Sequence, residues 1–149
     1  ETWHSLKKLH DEKRKLFLAQ AEQDGQKREL ERLLADLDEP SRHAFAIFSL
    51  CQFGSTAVEP LIETLRADPD PDARYAAARA LGMIGDPKAI PAVTAALTDP
   101  EPAVRYCAVE ALAPLKAESA REEIRNLLKD KYQWVRERAQ KTLDELSRS

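Results

Sequence analysis

β-Branched residues are scarce in this chain of 149 residues, with 5 Val and 5 Ile against 23 Ala and 19 Leu. That imbalance excludes a strand-rich fold, because Ala and Leu favour helix while Val and Ile favour strands. Glycine is rarer still, at 4 residues, so a glycine-rich loop cradling a phosphate has no material to form from. Cys51 and Cys107 stand alone, without a CxxC pair or a Cys/His cluster. A zinc site and a disulfide framework are thereby excluded. Isolated thiols within helical segments behave as small hydrophobes in a reducing compartment, so both are expected to be buried and the protein cytoplasmic. No window approaches the ~18 consecutive apolar residues of a membrane span, and no signal-peptide core is present. The chain opens on Glu1 rather than Met, which leaves room for an upstream segment carrying targeting information.

What is present is a balanced, well-patterned composition. Hydrophobic residues make up 43% and charged residues 33%, with a net charge of −3, which is too apolar and too neutral for disorder. Basic residues number 23 and acidic ones 26, so the basic footprint of a nucleic-acid binder is missing. Charge is unevenly spread. Residues 37–100 hold 5 basic and 9 acidic side chains, whereas residues 1–36 and 101–149 are close to neutral.

The ordering principle is a repeat of 31 residues. At that shift Arg74, Tyr75, Ala77 and Leu81 fall on Arg105, Tyr106, Ala108 and Leu112, and Asp99 falls on Asp130. A second shift carries Val104, Arg105, Ala108 and Leu112 onto Val135, Arg136, Ala139 and Leu143. Backwards, Ala46, Leu50 and Gly54 precede Ala77, Leu81 and Gly85 by 31, and Leu30 and Leu34 precede Leu61 and Leu65 likewise. Each unit reads as two helices, A and B. Ala73, Ala77, Leu81 and Ile84 line one stripe of an A helix, and Ile90, Val93 and Leu97 line one stripe of a B helix. Asp-Pro pairs punctuate the joins, since Asp caps a helix start and Pro fits its first turn. Pro60 and Pro91 are expected near the starts of B helices, and Gly82 and Gly85 at the end of an A helix. Asp24-Gly25 is expected to break residues 3–22 from a second helix over 26–37.

One such helix pair cannot cover its own apolar stripes, so neighbouring pairs stack. The expected fold is all-α, a right-handed α-α superhelix of about four helical pairs with an N-terminal helical cap. Residues 1–37 form the cap and a degenerate first unit. The repeats follow over 38–149, at about 38–69, 70–100, 101–130 and 131–146. The pattern V-R-x-x-A-x-x-A-L-x-x-[IL]…A-I-x-x-[LV]-x-x-x-L-x-D resembles the short HEAT-like repeats named after phycobilisome bilin lyases, over residues 38–146. The resemblance implies a repeat architecture found in scaffolds, lyase subunits and metal oxidases alike.

Candidate residues follow from the register. Arg74, Arg105 and Arg136 recur once per unit, and such a ladder serves either an anionic ligand or the joints between repeats, the second being the expectation here. Deoxyhypusine hydroxylase is a related resemblance, and there His-Glu pairs on the repeats hold iron. The comparable dipeptides here are His43-Ala44, Arg74-Tyr75, Arg105-Tyr106 and Arg136-Glu137, so that ligand set is lacking and His43 is read as a degenerate ladder residue. His4 and His10 lie far from that frame. No GxSxG elbow occurs, and neither Cys has a His in register. Lys7, Lys8, Lys13, Arg14 and Lys15 cluster on a helix with Trp3, Leu6, Leu9, Leu16 and Phe17. Asp11 and Glu12 interrupt the cluster, which makes it a solvated face on the capping helix.

Tyr75 and Tyr106 suit either packing between repeats or contact with a partner. In similar solenoids the B helices line the concave side. Its expected polar positions are Arg28, Glu31 and Arg32, then Glu59, Glu63 and Arg66, then Ala92, Ala95 and Thr98, then Arg121, Glu122, Arg125 and Lys129. Acidic in the second unit, neutral in the third and basic in the fourth, this surface suits a helix or peptide of a partner protein. The expectation is a non-catalytic interaction scaffold without cofactor or metal. The alternative, which the resemblance implies, is a relative of bilin lyases holding an open-chain tetrapyrrole or a phycobiliprotein.

Overall fold

The computed structural model describes residues 3–148, without the side chains of Trp3, His4, Leu6 and Phe17. The apolar face expected from Trp3, Leu6 and Phe17, and the histidine at position 4, therefore lie outside the described side chains. All regular structure among the described residues is helical. The chain divides into two compact units, residues 1–32 and 33–149.

The first unit is drawn from one helix, α1 (Trp3–Ala35). The break expected at Asp24-Gly25 is absent, because the helix runs straight through Gly25. A single glycine costs a helix only about 1 kcal/mol, and strong helix formers such as Ala21, Glu22, Gln23, Gln26 and Lys27 flank it. Lys7, Lys8, Lys13, Arg14 and Lys15 are all exposed on this helix.

The second unit is a stack of helical repeats. Its A helices are α2 (His43–Phe53), α4 (Pro71–Ile84), α6 (Pro102–Leu112) and α8 (Gln133–Arg148). Its B elements are α3 (Ser55–Ala67), α5 (Ile90–Ala95) and α7 (Arg121–Asn126). A 3₁₀ turn stands at each end of α5 and of α7. Local chemistry sets the boundaries. Asp70 caps α4 by accepting from the Asp72 N–H, Pro71 opens its first turn, and Gly85 ends it in the left-handed region at φ 76°. Pro60 departs from its expected place, sitting inside α3 because that helix starts directly after its N-cap Gly54 without a linker.

Alanine sets how closely the A helices approach. Ala73, Ala76, Ala77, Ala78 and Ala80 of α4 are all buried, as are Val104, Cys107, Ala108 and Ala111 of α6. Gly82 does not cap α4. It lies at the crossing with α6, where a Cβ would stand 2.8 Å from the Ala111 Cβ. Thr142 of α8, buried, donates its hydroxyl to the Val109 carbonyl at 3.0 Å and joins the last helix to α6.

Burial also corrects the register of the first, degenerate repeat. Leu33 and Leu37 are fully buried, like Leu61 and Leu65 which follow them by 28, while Leu34 is only half-buried. Leu occupies positions 30, 33, 34 and 37, so a shift of 31 and a shift of 28 both match letters; only packing separates them.

Candidate functional site

The joints between repeats are built from three aspartates that recur at the period. Asp68, Asp99 and Asp130 each accept, through Oδ1, the backbone N–H two residues on, at 2.9 to 3.0 Å. Such Asp side chains fold the chain into a tight turn before the next A helix. The ladder arginines then close on the same segments. Arg74 donates Nε and Nη2 to the Asp99 carboxylate at 2.9 and 3.1 Å, and Nη1 to the carbonyls of Asp68 and Pro69. Arg105 repeats this on Asp130 at 2.8 and 3.2 Å, with Nη1 on the carbonyls of Asp99 and Pro100. Arg136 reaches the carbonyls of Asp130 and Lys131 at 2.7 and 3.2 Å.

These rungs are well shielded. The side chains of Arg105 and Asp130 are 14% and 6% exposed. Burial alone would raise the Asp130 carboxyl, but the Arg105 hydrogen bond, the Tyr132 N–H and the charges of Arg105 and Arg136 together hold it below its ordinary value. The hydrogen bond that Arg74 donates to Asp99 raises the Arg74 guanidinium, against an opposing effect of burial. All three donor nitrogens of Arg74 and of Arg105 are occupied by the protein itself, which leaves little for an external anion.

The rung before these is different. His43 stands 25 residues ahead of Asp68, as Arg74 stands ahead of Asp99. Its Nε2 is buried without a hydrogen-bond partner, and its ring stacks on Tyr75 at 6.0 Å. A cavity of about 320 Å³ opens there, with Pro40, Pro71, Asp72 and Glu101 around the two rings.

Tyr75 and Tyr106 sit on A helices, apart from the B-element positions. Tyr75 is half-buried between His43 and Cys107; burial and the neighbouring Cys107 push its phenol upward. Tyr106 is half-buried against Trp134 at 5.6 Å, and Trp134 meets Tyr132 at 5.8 Å. Cys107 is buried, and burial first, then Glu110, pushes its thiol up to about 12. Cys51 is half-buried, with its thiol raised by burial. Neither is a ready thiolate.

On the B elements, Glu59, Glu63 and Arg66 of α3 are exposed, and so is Lys129. Arg125 is exposed and paired with Glu122. Arg121 is half-buried, held by Glu118 at 2.8 Å and by the Ser147 hydroxyl at 3.2 Å. Ala92, expected on the polar face, is 2% exposed. It belongs to the core because small residues beside Val93 let the B elements come close. Arg138 was missed altogether: its side chain is 10% exposed in the register that holds Ala76 and Cys107 in the earlier repeats. That misplaced charge in an apolar register is the signal that could have found it. Among the described residues no three His, Cys, Asp or Glu side chains converge as a metal site would require, and no helix is long and apolar enough to cross a membrane.

Comparison with known proteins fits this geometry. The family model for HEAT repeats matches residues 27–113 and 90–148. A solved structure of the complex of CpcE and CpcF of phycocyanin lyase from Nostoc sp. PCC7120 is similar at 27% identity and a TM-score of 0.72, covering 80% of this chain and 78% of that one. Human deoxyhypusine hydroxylase in complex with glycerol is similar at 27% identity and a TM-score of 0.64, over 80% of this chain but only 44% of that one. No curated protein matches. The expectation of a chain without enzymatic role is corrected by these neighbours, a lyase complex and a hydroxylase, which point to an enzyme-related function. Lacking His-Glu pairs removes one ligand set. It does not remove a repeat stack from the enzymes that such stacks help to build. With its period, its closed rungs and its matched repeats in agreement, the chain belongs to the HEAT-repeat family, in the HEAT-like form of the phycobilisome-lyase type.

Proposed function

We propose that this chain is a protein-binding module working within an enzyme assembly, in which residues 38–149 hold a helix or extended peptide of a partner protein across the face of the B elements. The observation that carries the reading is the change of charge along that face. Glu59 and Glu63 outnumber Arg66 at one exposed end, and Arg121, Arg125 and Lys129 outnumber Glu122 at the other. The pairs Arg121–Glu118 and Arg125–Glu122 lie three residues apart along the chain, and exposed pairs of that kind contribute under about 1 kcal/mol. A partner carboxylate can therefore displace them. The similarity to a complex of two different chains supports a protein as the ligand. The cytoplasm is the assumed compartment, given two free thiols.

Charge reversal tests this reading. Glu63→Lys and Arg125→Glu should each reduce capture of the same partner in pull-downs from the native cell, with thermal melts unchanged. Capture unaffected by both reversals rejects the B-element face.

A second reading rests on the likeness to the phycocyanin lyase complex. In it the chain holds an open-chain tetrapyrrole or escorts a phycobiliprotein. Purified protein incubated with a bilin and then desalted should keep a visible absorbance band; a colourless protein removes the tetrapyrrole half of this reading.

A further inference from the structure

A second cavity, of about 230 Å³, lies away from the B-element face, among the A helices α4, α6 and α8. Cys107 and Gly82 are part of its lining. Arg138 lines it too, and it is the least satisfied buried cation among the described residues. Its side chain is 10% exposed, yet its Nε is buried without a hydrogen-bond partner. Its Nη2 reaches Glu145 only at 3.3 and 3.4 Å, near the outer limit of a hydrogen bond. Arg105, no better buried, uses Nε, Nη1 and Nη2 at 2.8 to 3.2 Å. Leaving a charged donor unpaired in the interior is costly, so a guanidinium in this state is poised for an acceptor from outside.

The lining specifies that acceptor. Arg79 stands at the same cavity, 4.0 Å from Glu110, and with Glu145 on Arg138 two guanidiniums balance two carboxylates, both held at long range. With the charges already balanced, the site suits an acceptor that brings one negative charge and disfavours a doubly charged phosphate beside Glu110. Met83, 57% exposed, together with Ala111 and Pro114 supplies apolar wall. Water occupies about 30 Å³ per molecule in the liquid, so the space holds roughly eight waters, or a molecule of comparable size. It falls below the ~300 Å³ at which drug-sized sites begin.

We propose that this cavity binds a small organic monocarboxylate, with its carboxylate on Arg138 and Arg79 and its hydrocarbon body against Met83, Ala111 and Pro114. Arg–carboxylate pairing is the geometry a guanidinium fork favours.

Hexanoate is the probe, with hexanamide as its uncharged counterpart, titrated into the full chain while the arginine Nε–H signals are followed by NMR. Hexanoate should move the Arg138 Nε–H saturably, and hexanamide at the same concentrations should leave it in place. Arg138→Met puts an apolar side chain into the register of Ala76 and Cys107 and should weaken hexanoate binding by about tenfold or more. Arg79→Gln, at a half-exposed position, should weaken it by a smaller factor without altering the melt. The proposal is overturned by no saturable shift with hexanoate, by equal binding of hexanamide, or by wild-type affinity in Arg138→Met. Should Arg138→Met fail to fold, unchanged affinity in Arg79→Gln overturns it instead.

Discussion

Two rungs of one ladder, built to the same spacing, differ in outcome. At Arg105–Asp130 a bidentate ion pair is buried and completed by two backbone carbonyls. At His43–Asp68 the spacing of 25 is kept, but His43 keeps a buried, unpartnered Nε2 and stacks on Tyr75 instead. The length of the side chain decides this. Arginine reaches the turn of its own repeat and the carboxylate at the end of the next B element together, whereas an imidazole is too short for both. Repeat geometry is therefore a matter of reach as much as of charge, and a position can keep its register while losing its joint.

Removing a working rung should have the largest effect. Arg105→Ala strands Asp130 and frees the carbonyls of Asp99 and Pro100, and breaking one side of a buried pair costs about 3–5 kcal/mol. For a chain of this size that is a fall in Tm on the order of 10 °C, readable by circular dichroism. An unchanged melt would reject the joint role of the ladder.

Acid should erase that difference by degrees. The Asp130 carboxyl is held below its ordinary value in the fold, so its contribution is fully present above the unfolded value of about 3.9. It is lost as pH falls through the lower folded value. Wild type and Arg105→Ala should thus converge in Tm below about pH 4, and Asp130→Asn should flatten that part of the profile. A gap that stays constant down to strong acid would show that the ion pair is not its source.

Repairing the incomplete rung should have the smallest effect. His43→Arg offers Asp68 the partner that Asp99 already has, with the carbonyls of Leu37 and Asp38 at the ladder's backbone offsets. The loss of the Tyr75 stack opposes the gain, leaving about 1 kcal/mol and a rise in Tm of about 2–4 °C. A fall in Tm would mean that the His43–Tyr75 stack matters more to the fold than the missing pair.

Much of this was legible in the letters. A period of 31 with Arg and Asp in fixed places gave the repeat class and the positions of the rungs, since both residues are required by the same turn in each unit. The first unit was not legible to the same degree. A Leu-rich stretch allows two registers, and the helix through Gly25 depends on its neighbours' propensities outweighing one glycine. Ala92 and Arg138 mislead for opposite reasons: an alanine looks neutral wherever it lies, and an arginine looks exposed wherever it lies. The enzyme-related character carried by the structural neighbours has no motif of its own in this sequence, because a surface that assists chemistry need not contain the reacting groups.

The double use of Asp99 and Asp130 has a consequence for how such a chain can change length. Each gives its side chain to the arginine before it and its backbone carbonyl to the arginine after it. Excising residues 100–130 would bring Asp99 against Lys131, with Arg136 now six residues beyond Asp99 as Arg105 was. Every remaining clasp would find a partner of the same kind. The molecule is thus written in units that can be cut or copied whole, like links of a chain whose pins are identical, while a cut at any other interval would leave a pin without its hole.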